Sequence, residues 1–204
     1  MKGRRRILVA STNPGKLKEL REMLGGDIEW VGLSNFPNVG EIEEDGKTFD
    51  ENARKKAIGY AKATGLWTLA DDSGLMVDAL NGQPGVKSAR FSGEKGANRG
   101  LIDHKNMAKV LKLMEGVPKE KRTARFMCCL CLASPEKVLI ETSGKLEGLI
   151  IDKPMGENGF GYDPIFFVPE SNKTVAQMTS EEKNAISHRG NAIRSLRTYL
   201  ENIL

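Results

Sequence analysis

Two adjacent aspartates, Asp71 and Asp72, follow an apolar segment in the sequence LADDSG. Neighbouring charges of one sign are costly at the end of a predicted strand, so we expect a positive group beside them. Carboxylate oxygens bind Mg²⁺, which is commonly held by one or two carboxylates together with substrate phosphates. Glu43 and Glu44, in the acidic stretch VGEIEEDG, can supply a second ligand. The alternative is that one aspartate caps the turn at Ser73–Gly74 while the other is solvated.

A second set of polar residues lies in STNPGK, between an apolar strand and a predicted helix. Backbone N–H groups at a helix N-terminus favour an anion, and Lys16 adds a mobile charge that can reach a phosphate. The glycine and lysine spacing of a P-loop is absent. The alternative is a well-capped helix with a surface lysine. The candidate phosphate-binding residues are Ser11, Thr12, Asn13, Pro14, Gly15 and Lys16.

A third set lies in the glycine-rich segment GENGFGYD. Glycines let the backbone approach a ligand closely, and the ring of Phe160 or Tyr162 offers a flat face for a base. Asp163 can accept a hydrogen bond or cap the turn before Pro164. The alternative is that these aromatic residues, which precede PIFFV, belong to the core.

The segment EEKNAISHRG adds three potential cations: Lys183, His188 and Arg189. A helix break at residues 188–190 would turn the last two into a pocket. No Ser–His–Asp arrangement is evident and no cysteine has an obvious base partner, so covalent catalysis is disfavoured. Phosphate donors, carboxylates, a ring and cations are together the groups that bind a nucleoside triphosphate with Mg²⁺ and attack it.

Alternating helices and strands must position these groups, which predicts an α/β fold. RILVA is a predicted strand, and Asn13 caps a helix that begins at Pro14 and ends at Gly25 and Gly26. Thr48 and Glu51 have capping-box spacing at the start of a helix that ends at Gly65. LWTLA is a strand predicted to end at the acidic pair. A helix is predicted over residues 101–115.

The second half of the chain changes to strands. TARFMCCLCLAS, KVLIETSG and KLEGLII are predicted strands, and breaks at Ser134–Pro135 and Ser143–Gly144 indicate antiparallel hairpins. The last helical segment begins at a second capping box, Thr179 and Glu182, and has a predicted break at Gly190. The prediction is a mixed sheet with flanking helices in a single domain over residues 1–204.

The composition is that of an ordinary globular protein. The chain has 204 residues, 28% of them charged, with a net charge of +4 that suits an anionic ligand but not a dedicated nucleic-acid binder. The apolar run Ile7–Ala10 is too short for a signal peptide, and no run is long enough to span a membrane. Cys128, Cys129 and Cys131 are predicted to be reduced and packed in a buried strand, which favours the cytoplasm.

Five segments together closely resemble the inosine triphosphate pyrophosphatase family, which hydrolyses non-canonical purine nucleoside triphosphates. They are STNPGK, TFDENARKKA, LADDSGLMVDALNGQPGVKSARFSG, GFGYDPIFFVP and TSEEKNAISHRG, and the similarity runs from about Ile7 to Leu196. The resemblance implies Mg²⁺-dependent hydrolysis of ITP, dITP and XTP to the monophosphate and pyrophosphate. It also implies a homodimer and an elongated α/β fold with the active site in a cleft between two lobes.

The resemblance also assigns roles. Asp72 matches the catalytic carboxylate, which also binds metal, and the acidic metal ligand falls within Glu43–Glu44. Thr12 stands where the family often has glycine, so its backbone contacts are left open. The matched substrate-binding residues are Ser11 to Lys16, Lys56, Ser73, Phe160, Gly161, Tyr162, Asp163, Lys183, His188 and Arg189.

The expected mechanism follows from charge. Lys16 and Lys56 offset the repulsion of a polyanionic substrate, and Asp72 orients or deprotonates the attacking water. Donors from His188 or Arg189 would satisfy the 6-oxo group of hypoxanthine but not the 6-amino group of adenine. The alternatives are a pyrophosphatase that prefers modified pyrimidine or other nucleotides, a nucleotide-binding regulator without turnover, and a weak RNA-binding protein.

Overall fold

The computed structural model describes residues 5–24, 28–96 and 98–203, and it has the predicted α/β architecture. The strands pair in the order β2-β1-β3-β4-β5-β6-β7 in a mixed sheet. The strands are β1 (Arg5–Ala10), β2 (Ile28–Gly32), β3 (Trp67–Val77), β4 (Thr123–Ala133), β5 (Val138–Ile150), β6 (Phe166–Val168) and β7 (Lys173–Thr174). The helices are α1 (Pro14–Leu24), α2 (Phe49–Thr64), α3 (Arg99–Leu113), α4 (Ser180–Ile186) and α5 (His188–Ile203).

Two segments of the sheet differ in strand direction. β1 is parallel to both β2 and β3, as expected where helices connect the strands. β6 is antiparallel to both β5 and β7. The predicted mixed sheet is therefore confirmed. The elongated shape and the cleft between two lobes remain predictions.

The chain forms two compact units. The first contains Met1–Asp72, Cys128–Gly144 and Arg189–Leu204, and the second contains Ser73–Met127 and Lys145–His188. Each unit has its own apolar core, which is expected of compact folded bodies. In the first unit the core includes Ile7, Leu69, Cys128, Leu130 and Ile193, and in the second it includes Leu75, Val110, Phe126, Ile165 and Phe166.

Local signals placed most helix ends correctly. Thr48 and Glu51 form the predicted capping box of α2, and Gly65 ends that helix in the left-handed region with φ of 72°. Thr179 and Glu182 form the second capping box, at the start of α4. Gly25 and Gly26, predicted to end α1, lie outside the described residues. Among the described residues no helix combines the length and the apolar character needed to cross a membrane.

Two predicted strand ends are wrong. β3 does not stop at the acidic pair but continues to Val77, and β5 continues through Ser143–Gly144 to Ile150. The side chains of β5 alternate between more and less exposed through this stretch, so the period-two pattern is stronger than the local turn signal. The turn at Ser134–Pro135 does separate β4 from β5.

The three cysteines confirm the prediction of reduced, buried residues. Cys128, Cys129 and Cys131 are free thiols within β4. Burial raises the pKa of each thiol, that of Cys131 to about 12, so none is a reactive thiolate at neutral pH.

Gly74 allows β3 to pass close to the 3-10 helix at Gly85–Arg90. A Cβ atom at Gly74 would lie 2.3 Å from the Ser88 hydroxyl and 2.8 Å from the Gly85 carbonyl oxygen. The same hydroxyl accepts a hydrogen bond from the Leu75 N–H at 2.9 Å and donates to the Gly85 carbonyl at 2.6 Å. Only glycine leaves room for this arrangement.

We therefore expect Gly74→Ala to lower the free energy of unfolding by about 1–3 kcal/mol, because the added methyl group must displace backbone as well as the hydroxyl. Urea unfolding measures this change. Gly100→Ala is the matched control, since its Cβ would meet only the Asn98 side chain at 3.6 Å. Equal stability of the two variants would contradict the steric argument.

Candidate functional site

Backbone N–H groups at the N-terminus of α1 are hydrogen-bonded to side chains of the same segment. The Asn13 side chain accepts hydrogen bonds from the backbone N–H groups of Gly15 at 2.9 Å and Lys16 at 3.3 Å, which confirms it as the N-cap. The Ser11 hydroxyl accepts one from the Asn13 N–H at 3.2 Å. These N–H groups are thus already bonded, and the Lys16 side chain is the main cationic group of this segment. Thr12 and Pro14 are exposed.

Asp71 is an ion held by two cations. Its side chain is fully buried and accepts a hydrogen bond from Arg189 Nε at 2.8 Å, and it forms a further ion pair with Lys16. The Cys128 thiol donates to the same carboxylate at 3.2 Å. Burial alone would raise the pKa of Asp71, but Arg189 and Lys16 outweigh burial and hold it well below its usual range. Asp71 is therefore a buried structural anion.

Arg189 links β3 to α1 within the first unit. Its side chain is 1% exposed, and besides Asp71 it pairs with Glu19 of α1. One guanidinium thus lies between two carboxylates in a buried site, an arrangement that suits the fixed fork of arginine. Because both carboxylates already engage Arg189, its assigned contact with substrate stays a prediction.

Asp72 has different neighbours from Asp71 because successive residues of a strand point to opposite faces. It is 5% exposed and accepts a hydrogen bond from Asn52 Nδ2 at 3.0 Å. Its Oδ1 lies 3.9 Å from Lys56 Nζ. Burial raises the pKa of Asp72, and Lys56, Lys16 and the Asn52 hydrogen bond oppose that rise only in part. This carboxyl is therefore the more easily protonated of the pair.

Lys56 lies near a second carboxylate, that of Glu44, as well as near Asp72. Its ammonium lies 3.0 Å from Glu44 Oε1 and donates to the Asp71 carbonyl oxygen at 2.7 Å. Glu44 is half-buried and faces this ammonium, whereas Glu43 is exposed. Over the described ranges, no group of three or more His, Cys, Asp or Glu residues is placed to hold a metal ion. The two carboxylates beside Lys56 lie within the range of one or two that commonly hold Mg²⁺ together with substrate phosphates.

Two members of this set were missed from the sequence: Asn52 and Glu19. Asn52 precedes Lys56 by four residues, so both lie on one face of α2, and this spacing was the available signal. Glu19 follows Lys16 by three residues on α1, but its partner Arg189 lies 170 residues further along the chain. No local pattern identifies such a partner.

The second unit brings together Phe160, Asp163 and Lys183. The Asp163 carboxylate accepts hydrogen bonds from the Phe160 N–H at 2.9 Å and from Lys183 Nζ at 2.6 Å. The same ammonium lies 4.7 Å from the centroid of the Phe160 ring. Lys183 and Asp163 are both buried, so the pair orders this loop and orients a half-exposed ring.

The rings of Tyr162 and His188 are both buried, so neither presents a free face for stacking on a base. Tyr162 is 5% exposed, packs in the apolar core and donates its hydroxyl to the Ser88 carbonyl at 2.8 Å. Phe160 is thus the better candidate of the two rings to meet a base. His188 is 6% exposed and stacks on Phe126, with ring centroids 4.9 Å apart and an angle of 20°.

The helix break lies at Ser187, three residues before the predicted break at Gly190. α4 ends at Ile186, Ser187 is extended with ψ of 156°, and α5 begins at His188. The predicted break at Gly190 is wrong because Ser187 leaves the helical conformation first and Gly190 lies inside α5. Ser73, the remaining predicted contact, is half-buried in β3 directly after Asp72.

Comparison with known proteins supplies the context for this geometry. The model of the Ham1 family matches residues 7–199, which is nearly the whole chain. The chain belongs to the Ham1 family. It is 51% identical over 196 residues to a protein of Geobacter sulfurreducens named dITP/XTP pyrophosphatase, covering 96% of each chain. It is 47% identical over 199 residues to a protein of the same name from Bacillus cereus, covering 96% of this chain and 95% of the relative.

Solved structures agree in fold as well as in sequence. The Ham1 protein of Staphylococcus aureus has a TM-score of 0.86 and 40% identity, covering 98% of this chain and all of the other. A HAM1 protein from Coxiella burnetii has a TM-score of 0.86 and 42% identity, with coverage of 97% and 99%. The predicted resemblance is therefore confirmed, and the prediction of a hydrolase acting on nucleoside triphosphates agrees with the names of the relatives.

We expect Arg189→Met to lower the free energy of unfolding by about 3–5 kcal/mol, because it leaves Asp71 and Glu19 buried with too little positive charge. Denaturant unfolding measures the loss. Arg54→Met is the control, since Arg54 makes a bidentate pair with Glu141 at the surface and such pairs contribute little. A loss no larger than that of the control would show that the buried pair is not needed for stability.

Proposed function

We propose that the protein hydrolyses non-canonical purine nucleoside triphosphates, namely ITP, dITP and XTP, to the monophosphate and pyrophosphate in a Mg²⁺-dependent reaction. Its role would be to remove these compounds from the nucleotide pool. The observation that carries the proposal is the setting of Asp72, a buried carboxylate beside Lys56, Asn52 and Glu44. The relatives named dITP/XTP pyrophosphatase support the substrate class.

Two lysines provide the charge needed to accept a triphosphate. Lys16 and Lys56 lie on different helices of the first unit, and both lower the pKa of Asp72. A polyanion beside buried carboxylates would be repelled without such cations. Lys16 pairs with Asp71 and Lys56 with Glu44, so both ammonium groups are held in place before substrate arrives.

Asp72 is the proposed general base. A carboxylate that is to take a proton from water benefits from a pKa raised towards neutrality, and burial acts on Asp72 in that direction. The hydrogen bond from Asn52 orients the carboxylate. The activated water would attack the α-phosphorus, the bond from that phosphorus to the bridging oxygen would break, and pyrophosphate would leave.

Glu44 and Asp72 are the residues that would hold Mg²⁺. Their oxygens already face one positive group, the Lys56 ammonium, and carboxylates are the ligands that a hard cation prefers. When bound, the ion would neutralise charge that develops on the phosphates. We assign no metal contact to Glu43, because it is exposed and Glu44 is the residue that faces Lys56.

We propose that residues of the second unit bind the purine base. Phe160 would stack on the purine, while Lys183, Asp163 and Gly161 set the conformation around that ring. His188 is the proposed donor to a 6-oxo group, and Ser11, Thr12 and Ser73 remain proposed contacts of the phosphates and sugar. A homodimer and a cytoplasmic location also remain predictions.

The substrate class is tested with a panel of ITP, dITP, XTP, ATP, GTP and UTP at fixed Mg²⁺. We expect pyrophosphate release from the first three to be much faster than from ATP, because a 6-amino group leaves the site's donors unpaired. Preference for UTP would favour a pyrimidine-directed enzyme, and ITP binding without pyrophosphate release would favour a regulator. Binding of RNA with a steep salt dependence would favour the RNA-binding alternative.

Asp72→Asn should lower kcat for ITP by about 10²–10⁴-fold, because the amide cannot accept the proton from water. Asp152→Asn is the matched control, since Asp152 is an exposed carboxylate paired with Arg122. Retention of full activity by Asp72→Asn would rule out its role as the base. A melting curve of each variant separates loss of chemistry from loss of fold.

Removal of divalent ions with EDTA should abolish pyrophosphate release, and added Mg²⁺ should restore it. Glu44→Gln should raise the Mg²⁺ concentration needed for half-maximal rate by about tenfold, because loss of one ionised ligand weakens the site. Glu43→Gln should shift that concentration much less. The reverse order would assign the ligand to Glu43.

A further inference from the structure

The Asp103 side chain of helix α3 contacts the proposed base-binding loop, which is the glycine-rich segment at residues 156–163. The Asp103 carboxylate accepts a hydrogen bond from the Gly161 N–H at 3.2 Å through Oδ2, and its Oδ1 lies 2.9 Å from Arg99 Nε on the preceding turn. The Asp103 side chain is only 13% exposed. An ionised acceptor makes a stronger hydrogen bond than a neutral one, so this contact is suited to hold a backbone group.

Two glycines of the loop adopt left-handed backbone conformations at this point. Gly159 and Gly161 adopt φ values of +76° and +64°, which glycine reaches without strain but most residues do not. A Cβ atom at Gly161 would meet no atom within 4 Å, so the side of the residue that a side chain would occupy is open. Its conformation depends on hydrogen bonds. Asp163 holds the Phe160 N–H from within the loop, and Asp103 holds the Gly161 N–H from outside it.

A second residue of α3 supports the same loop indirectly. Asn106 follows Asp103 by three residues and therefore lies on the same helix face. It is 1% exposed, and its Nδ2 donates to the Ser88 carbonyl at 3.2 Å. That carbonyl also accepts the Tyr162 hydroxyl at 2.8 Å. One face of α3 thus holds the loop directly at Gly161 and, through Ser88, at Tyr162.

We propose that Asp103 is a positioning residue for base selectivity: by holding Gly161 it fixes the orientation of the adjacent Phe160 ring. This inference rests on the proposed function, because it takes the loop to be the part that meets the purine. Because Asp103 would act through the loop, its effect is expected on KM and selectivity rather than on the chemical step. Arg99 keeps the carboxylate in place, and burial opposed by Arg99 and the Gly161 N–H leaves the pKa of Asp103 raised.

The test measures kcat and KM for ITP and ATP in the full-length protein and in variants of α3. Asp103→Ala removes the acceptor, whereas Asp103→Asn keeps an acceptor oxygen at the same distance from the helix. Lys105→Ala is the control on the same helix, because Lys105 pairs with Glu94 at the surface. Asp103→Glu keeps the charge but displaces the acceptor, and it replaces the alanine variant if that variant does not fold.

For Asp103→Ala and Asp103→Glu we expect KM for ITP to rise about tenfold and the ratio of kcat/KM for ITP over ATP to fall about tenfold, with kcat little changed. Asp103→Asn and Lys105→Ala should keep the selectivity of the unmodified protein. A lowered melting temperature with an unchanged selectivity ratio in Asp103→Ala would overturn the proposal. If the unmodified protein shows no preference for ITP over ATP, the proposed function fails before any variant is considered, so the two failures are distinguishable.

Discussion

The burial of two adjacent negative charges in one strand is the constraint on which the first unit depends. Asp71 and Asp72 are 2% and 5% exposed, and an isolated carboxylate transferred from water to such a site would be strongly unfavourable. Because neighbouring residues of a strand point to opposite faces, one cation cannot compensate both equally. Asp71 requires Lys16 and Arg189, and Asp72 requires Lys56 and Asn52. The positions of α1, α2 and α5 against β3 satisfy these separate requirements.

Neighbouring cations compensate the burial of Asp71, on one face of β3, more fully than that of Asp72, on the other face. The pKa values of the two carboxylates are therefore shifted in opposite directions. Asp71 has two close cations and a thiol donor, and its pKa is held well below the ordinary value. For Asp72, burial outweighs the Lys56 ammonium at 3.9 Å, the more distant Lys16 and the Asn52 hydrogen bond, so its pKa is raised. A buried carboxylate that is already paired with two cations, as Asp71 is, suits a structural role. A buried carboxylate with a raised pKa suits a site that takes up a proton during the reaction.

The features that the sequence predicted well are those with local causes. The capping boxes at Thr48 and Thr179 and the N-cap Asn13 depend on residues within four positions, and all three are present. The burial of the acidic pair inside β3 was not predictable in this way, since the cations beside Asp71 and Asp72 come from three helices. A helix break signalled by Gly190 was placed too late because glycine is tolerated inside α5.

In the candidate site, too, residues within a motif were predicted, whereas contacts between residues distant in the sequence were not. Asp72, Lys56 and the loop around Phe160 were found by motif, and the structure places Asp72 with Lys56 and Phe160 with Asp163 and Lys183. Glu19 was missed because its partner Arg189 is distant in the sequence, and Asn52 was missed although its spacing from Lys56 was an available signal. Arg189 was noticed as a cation, but its buried ion pairs were not, since a sequence does not show which distant charges meet.

The separation of Arg189 from Asp71, 118 residues along the chain, has a consequence for the order in which the protein is made. During synthesis from the N-terminus, β1, α1 and β3 leave the ribosome long before the arginine that neutralises Asp71 has been added. Until then Lys16 is the main cation available to that carboxylate, and the first unit cannot complete its core without α5. Completion of this unit is therefore a late event in biosynthesis, and the nascent chain must remain soluble with its central strand only partly neutralised.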